Sequence, residues 1–148
     1  ADLDLLKRIG DATASIYTFQ DPRHLLHGGR ISHMKGLLAS ALRIKPLIGV
    51  EKVGGTYVQL GMARTFERAV KGLVKLMMKK HEPGSTLRVQ VGHAWNPQGL
   101  VSLREEIEKH FECNWLPEVT LSAVLGAHTG PTMVGVAYAA QAEYPALP

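Results

Sequence analysis

Apolar positions along the 148-residue chain change their period several times, and each change marks an element. The segment 66–77 repeats at the helical spacing: Phe66, Ala69, Val70, Leu73, Val74 and Met77 fall on one stripe. Thr65 caps its start and Lys79 and Lys80 close it. In "TLRVQVGH" (residues 86–93) Leu87, Val89, Val91 and His93 alternate with Arg88, Gln90 and Gly92. That is the pattern of a half-buried strand with His93 at its C-terminal end on the buried side. The same reading predicts a short helix in "ADLDLLKRIGDA", a strand in "ASIYTFQ", and a short helix after Asp21-Pro22 that stops on Gly28-Gly29. Ser32 opens an amphipathic helix carrying Met34, Leu37, Leu38, Ala41 and Leu42, which Pro46 ends.

Further on, "PLIGVEKVGGTYVQLG" reads as a hairpin around Gly54-Gly55. Asn96-Pro97 caps a helix running to about Phe111, with Leu100, Leu103 and Ile107 facing inward. "CNWLPEVTLS" reads as a strand in which Pro117 marks an edge or a bulge. The remainder, "AVLGAHTGPTMVGVAYAA", reads as a short helical turn, a Gly-rich loop and a last strand with Val134, Val136 and Tyr138 on one face. Only the segment 87–119 has the β-helix-β order of a parallel crossover. The expected fold is therefore α+β, with helices packed on one face of a mostly antiparallel sheet, and 1–148 forming a single domain without a dividing linker.

Composition changes this picture little. Charged residues make up 20% and hydrophobic ones 45%, an ordinary globular balance that gives no support to disorder. A net charge of +4 spread along the chain is no nucleic-acid footprint. Cys113 is the single cysteine, so no internal disulfide forms and a reducing cytoplasm is the expected compartment. No window holds the roughly 20 apolar residues of a membrane span.

Candidate chemistry is sparse. His24 and His27 stand three apart, but HxxH without a Cys or carboxylate set reads as a solvated helix face rather than a metal site. Ser122, His93 and His128 belong to no recognisable catalytic constellation, and there is no GxSxG elbow, so catalysis by the chain is not expected. "GAHTGPT" (residues 126–132) fits an anion better. Its glycines let backbone approach a ligand, and His128 donates one hydrogen bond when neutral and two when charged. A plain turn between helix and strand explains the same residues equally well. Arg64 precedes a helix N-terminus and Arg30 sits on a Gly-Gly hinge. Both suit an anion, and both are explained as well by surface positions beside caps.

Three blocks taken together, "GGRISHMKGLLASALRIKPLIG", "GMARTFERAVKGL" and "VLGAHTGPTMVGVAY", resemble the C-terminal domain of the DegV family of bacterial fatty-acid-binding proteins, over roughly residues 14 to 140. The resemblance implies a two-domain protein that holds one long-chain fatty acid between its domains. An N-terminal α/β domain, not contained in this chain, would supply most of the acyl tunnel. It further implies presentation of the fatty acid to a separate kinase subunit, with no catalysis and no cofactor in the binding protein itself. Carried over by motif, the loop histidine falls on His128 with Thr129 and Gly130 beside it. The Gly-Gly-Arg-Ile block falls on Arg30 and Ile31, and the arginine before the long helix on Arg64. The arginines are expected near the headgroup or at a partner-docking surface. One departure stands out: the family's Gly-Pro-Gly ends here in Thr132, and a β-branched residue resists positive φ. The rival reading is a protein-interaction or self-association domain without lipid. A face left uncovered by a missing domain predicts self-association in either case.

Overall fold

The computed structural model describes residues 2–27 and 43–145, with only the backbone described at Leu26 and His27. In chain order the elements are α1 (Asp2–Ala12), β1 (Ala14–Thr18), α2 (Arg23–His27), β2 (Lys45–Glu51) and β3 (Thr56–Ala63). They continue with α3 (Phe66–Lys80), β4 (Thr86–His93), α4 (Pro97–Glu108), β5 (Glu112–Trp115), β6 (Val119–Thr120), α5 (Ala123–Thr129) and β7 (Val134–Ala140), and end in a 3-10 turn, Gln141–Glu143. The amphipathic helix expected over 32–42 lies outside the described residues, as do Arg30 and Ile31.

The strands form one sheet in the order β3-β2-β1-β7-β4-β5, with β6 also on β4. All pairs are antiparallel except β4 with β5 and with β6. This is the mostly antiparallel α+β sheet expected, and its parallel crossover is β4-α4-β5, the segment that had the right order. Pro117 falls in the gap between β5 and β6, so the expected single strand is two short ones on the same neighbour.

Register explains the core. Ile16, Val136 and Val91 form one cross-strand row, and Ala14, Tyr138 and Val89 the next. All are buried on the face that α3 and α4 cover. From α3 come Ala69, Val70, Leu73, Val74 and Met77, and from α4 Leu100, Leu103 and Ile107, the stripes read from the sequence. Thr65 caps α3, its hydroxyl accepting from the Arg68 N–H at 3.2 Å. Helix α4 ends at Glu108 rather than near Phe111, although Phe111 stays buried below it. Gly55 turns the β2–β3 hairpin with φ +64°, a conformation that suits glycine. Helix α1 forms as expected but buries no residue, and Leu3 and Leu6 remain exposed.

Alternation leaves a second face. There Ile48, Tyr17, Gly135, Gly92 and Val119 form one row across five strands. Tyr17, Phe19, Leu25, Ile48 and Met133 make a smaller buried cluster at one end of this face. Tyr17 packs edge-on against Phe19 and Tyr57, and burial pushes its phenol pKa far above the ordinary value.

Candidate functional site

Antiparallel order sends the C-terminal ends of β1, β3 and β4 and the N-terminal ends of β2 and β7 to the same edge of the sheet. That edge gathers α2, α5 and the loop before β7. Below it, on the second face, lies an apolar trough of about 240 Å³ lined by Tyr17, Gly92, Leu121, Leu125, Met133 and Gly135 among others. The two glycines stand opposite each other on β4 and β7, and they are why the trough exists. A Cβ on Gly135 would lie 2.9 Å from Tyr17 Cβ, and one on Gly92 would lie 2.8 Å from Val119 Cγ2.

Helix α5 forms one wall. Ser122 caps it, accepting from the Leu125 N–H at 3.3 Å, and Leu125 faces the trough. The helix continues through Gly126 to Thr129, so His128 sits on its last turn and not on the Gly-rich loop, as the sequence reading had it. Gly126 does not break it because the 126 carbonyl still finds a partner, accepting from the Gly130 N–H at 2.8 Å. His128 is three residues beyond Leu125 on the same helix, half-buried, and its imidazole has no hydrogen-bond partner among the described residues.

The residues beside it hold the turn. Thr129 is buried, and its hydroxyl donates to the Leu125 carbonyl at 3.0 Å. Gly130 has φ +84° and ψ 166°, a region that essentially only glycine occupies. A Cβ there would also meet the His24 ring at 2.7 Å.

Thr132, the departure from Gly-Pro-Gly, has an ordinary backbone, because no described non-glycine residue takes positive φ. Its hydroxyl accepts from the Gln20 and Asp21 N–H groups at 3.0 and 3.2 Å. Its carbonyl accepts from Asn96 Nδ2 at 2.9 Å, while Asn96 Oδ1 caps α4 by accepting from the Gly99 N–H. Nδ1 of His93 accepts from the Asn96 N–H at 3.0 Å, which makes His93 part of this bracing. Two more bonds strap the loop to the end of β4: Ala94 N–H to Met133 O and Trp95 N–H to Pro131 O. Asn96 was legible as a cap. Its second bond and the facing glycines left no local signal.

Arg64 reaches the same edge of the sheet, just before the cap of α3, and is exposed. It does not join His128. Three strand spacings separate β3 from β7, roughly 14 Å, and Arg64 lines a different cavity with Arg68, Lys71 and Lys75. Burial, with Glu108 nearby, pushes the Cys113 thiol up to about 11, so it stays protonated at neutral pH. No group of three or more His, Cys, Asp or Glu gathers as a metal set among the described residues, and no described helix is long and apolar enough to cross a membrane.

Comparison with known proteins bears on this geometry over nearly its whole extent. The chain is 29% identical to a DegV domain-containing protein of Deinococcus radiodurans over 123 residues, covering 83% of this chain and 43% of that protein. It is 29% identical over 114 residues to a protein of Thermotoga maritima named a fatty acid-binding protein, covering 76% and 38%. Its fold superposes with a TM-score of 0.78 on the crystal structure of a DegV lipid-binding protein from Thermotoga maritima, at 23% identity, covering 94% of this chain and 47% of that one. The chain thus spans less than half the length of each of these relatives. Residues 3–141 match the family model of uncharacterised proteins of the DegV family, from α1 through the braced loop to the last strand, and the chain therefore belongs to the DegV family.

Proposed function

We propose that this chain contributes the C-terminal half of a two-domain site for a long-chain fatty acid, which the assembled cytoplasmic protein presents to a separate kinase subunit. His128 takes the carboxylate, and the trough floored by Gly92 and Gly135 takes part of the acyl chain. The observation that supports this reading is that α5 turns Leu125 into an apolar trough and carries, one turn on, the half-buried imidazole of His128, which has no hydrogen-bond partner among the described residues. A carboxylate leaving water needs a donor, since a buried unpaired charge is very costly, and charge assistance strengthens the bond. Exposed Val124 on α5 and exposed Trp95 just after β4, at 72% and 80%, give an N-terminal domain an apolar rim to cover. The same rim makes the isolated chain prone to self-association.

Thr129 and Gly130 serve the site by fixing the turn that carries His128. Arg64 belongs to partner docking in this reading. Arg30 and Ile31 are assigned to the headgroup surroundings on the resemblance alone. The test is mass spectrometry of organic extracts from the longer parent protein, wild type and His128→Ala, after purification under identical conditions. Fatty acid retained by the wild type and depleted in the variant is the expected result. Equal retention removes His128 from the site, and absence of lipid from both removes the fatty-acid reading.

A further inference from the structure

We propose that Arg88, on the open face of the sheet, is the anchor for a carboxylate side chain of the N-terminal domain, an ion pair that forms when that domain docks. The proposal rests on the two-domain reading above and adds to it a polar contact that fixes how the halves meet. Helices α3 and α4 cover one face of the sheet, and the buried cluster around Phe19 covers only one end of the other. On that second face Gly92, Gln90 and Arg88 follow one another along β4, about 13 Å from first to last at about 3.3 Å per residue. Gly92 and Gln90 line the trough, so Arg88 stands just beyond its far end, away from α5.

The surroundings of Arg88 hold it in place without using its charge. Its guanidinium carbon lies 4.6 Å from the centre of the Tyr144 ring. The Tyr144 hydroxyl is 3.2 Å from Oγ1 of Thr13, just before β1, so the ring reaches from β1 to β4 across Ala139 of β7, which is fully buried. The turn that carries Tyr144 is itself tied down. Asn114 Nδ2 donates to Gln141 Oε1 at 3.0 Å, and Arg8 Nη2 donates to the Glu143 carbonyl at 3.0 Å. Nε of Arg88 is buried and has no acceptor, alone in this among the buried side-chain nitrogens and oxygens of the described residues. The carboxylates close by are already engaged. Glu112, opposite Thr86 on β5, accepts from the Thr86 hydroxyl at 3.1 Å, and Glu143 pairs with Arg8 at 3.7 Å. No ion pair among the described residues includes Arg88. Residues 28–42 and 146–148 contain no Asp or Glu to supply one.

Chemistry and cover together select the occupant. A guanidinium meets a carboxylate with paired, charge-assisted hydrogen bonds, and one already stacked on a ring gives up little freedom in doing so. A small free anion at a part-exposed site is screened by water and gains little. A docking domain brings its carboxylate and excludes the water at once, and a pair buried in that way is costly to break. The curated relatives have room for such a domain, since this chain covers only 43% and 38% of the two described above.

The test compares this chain with its longer parent protein, wild type and Arg88→Met, by thermal unfolding followed with circular dichroism. In the isolated chain Arg88→Met should leave Tm unchanged or raise it, because methionine keeps an apolar stem under Tyr144 and removes the orphaned donor. In the parent it should lower Tm by about 2–4 °C or more, because the partner carboxylate loses its cation. Arg104→Met is the control. That guanidinium also stacks, 4.4 Å from the Trp115 ring centre, but it pairs with Glu108 and Glu118 within the chain, so its loss should be the same in chain and parent. Arg88→Lys, which keeps a charge, should recover part of the parent's loss. An equal change for Arg88→Met in chain and parent overturns the proposal, as does an unchanged parent. No recovery by lysine would make the contact one of packing and overturns the ion pair. Stabilisation of the isolated wild-type chain by acetate, abolished in Arg88→Met and without extra loss in the parent, would assign Arg88 to a small free anion and also overturns it. The readout needs no lipid, so failure of the fatty-acid reading appears in the extracts and failure of this contact in Tm.

Discussion

Replacing Gly130 by alanine separates two constraints that meet at one atom. The backbone at this residue, φ +84° and ψ 166°, lies where an L side chain is strained by about 1–3 kcal/mol. The new methyl would also stand 2.7 Å from Cδ2 and 3.0 Å from Cγ of His24. His24 is exposed and its ring can swing away, at about 0.5–1.5 kcal/mol for a displaced rotamer. Gly130→Ala should therefore destabilise the chain by about 2–4 kcal/mol, a large share of the stability of a domain this size. Urea unfolding of the wild type, Gly130→Ala, His24→Ala and the double variant forms a cycle that divides the two effects. In the His24→Ala background, the Gly130→Ala cost should fall by the steric part and keep the backbone part. A total cost below about 0.5 kcal/mol would refute the backbone argument. An identical cost in both backgrounds would refute the packing of His24 on this glycine.

Two further outcomes follow from the same corner of the molecule. Thr132→Val removes the acceptor of two N–H bonds while keeping branching and volume; with water able to replace part of the loss, it should cost about 1–2 kcal/mol, and Thr132→Ser should cost less, both measured by urea unfolding. Asp21 is held at a pKa of about 2 by hydrogen bonds from the Arg23 side chain first and the Arg23 backbone second, with the guanidinium's charge adding to them. A carboxyl depressed on folding stabilises the fold above its ordinary value of 3.8, and that contribution disappears as pH falls from there through about 2. Carboxyl-carbon NMR should find this midpoint and should see it rise in Arg23→Gln; an unchanged midpoint would show that Arg23 is not the cause.

The parts of the fold legible in the sequence are those whose period and packing coincide. The stripe from Phe66 to Met77 and the alternation from Leu87 to Val91 both face the same core, so local pattern and tertiary role agree. The second face was not legible for the opposite reason. Its residues on β4 and β7 are Arg88, Gln90, Gly92, Gly135, Ala137 and Ala139, which alternation assigns to solvent. Only the pairing of strands far apart in sequence brings Gly92 beside Gly135 and makes a trough of them. Likewise Gly126 and Gly130 both read as loop, since glycine in a helix interior costs about 1 kcal/mol against alanine. The cap bond from Gly130 and the Thr129 hydroxyl carry the helix through the first of them.

The exchange of glycine for Thr132 then has a physical meaning. The positive φ of this loop is met at Gly130, two residues earlier, so position 132 is free to take a β-branched side chain. What that side chain supplies is an anchor. Its hydroxyl ties the loop to the start of α2, while its carbonyl ties it to the cap of α4 through Asn96. With the two strap bonds from the end of β4, the turn after His128 is held from three elements at once. An imidazole on a braced helix end loses less freedom when it meets a ligand than one on an open loop, so more of its hydrogen bond remains as affinity. For the site as proposed, this also locates the weak point: substitutions at Asn96 or Thr132, neither of which needs to touch a ligand, should loosen His128 before they disturb the core.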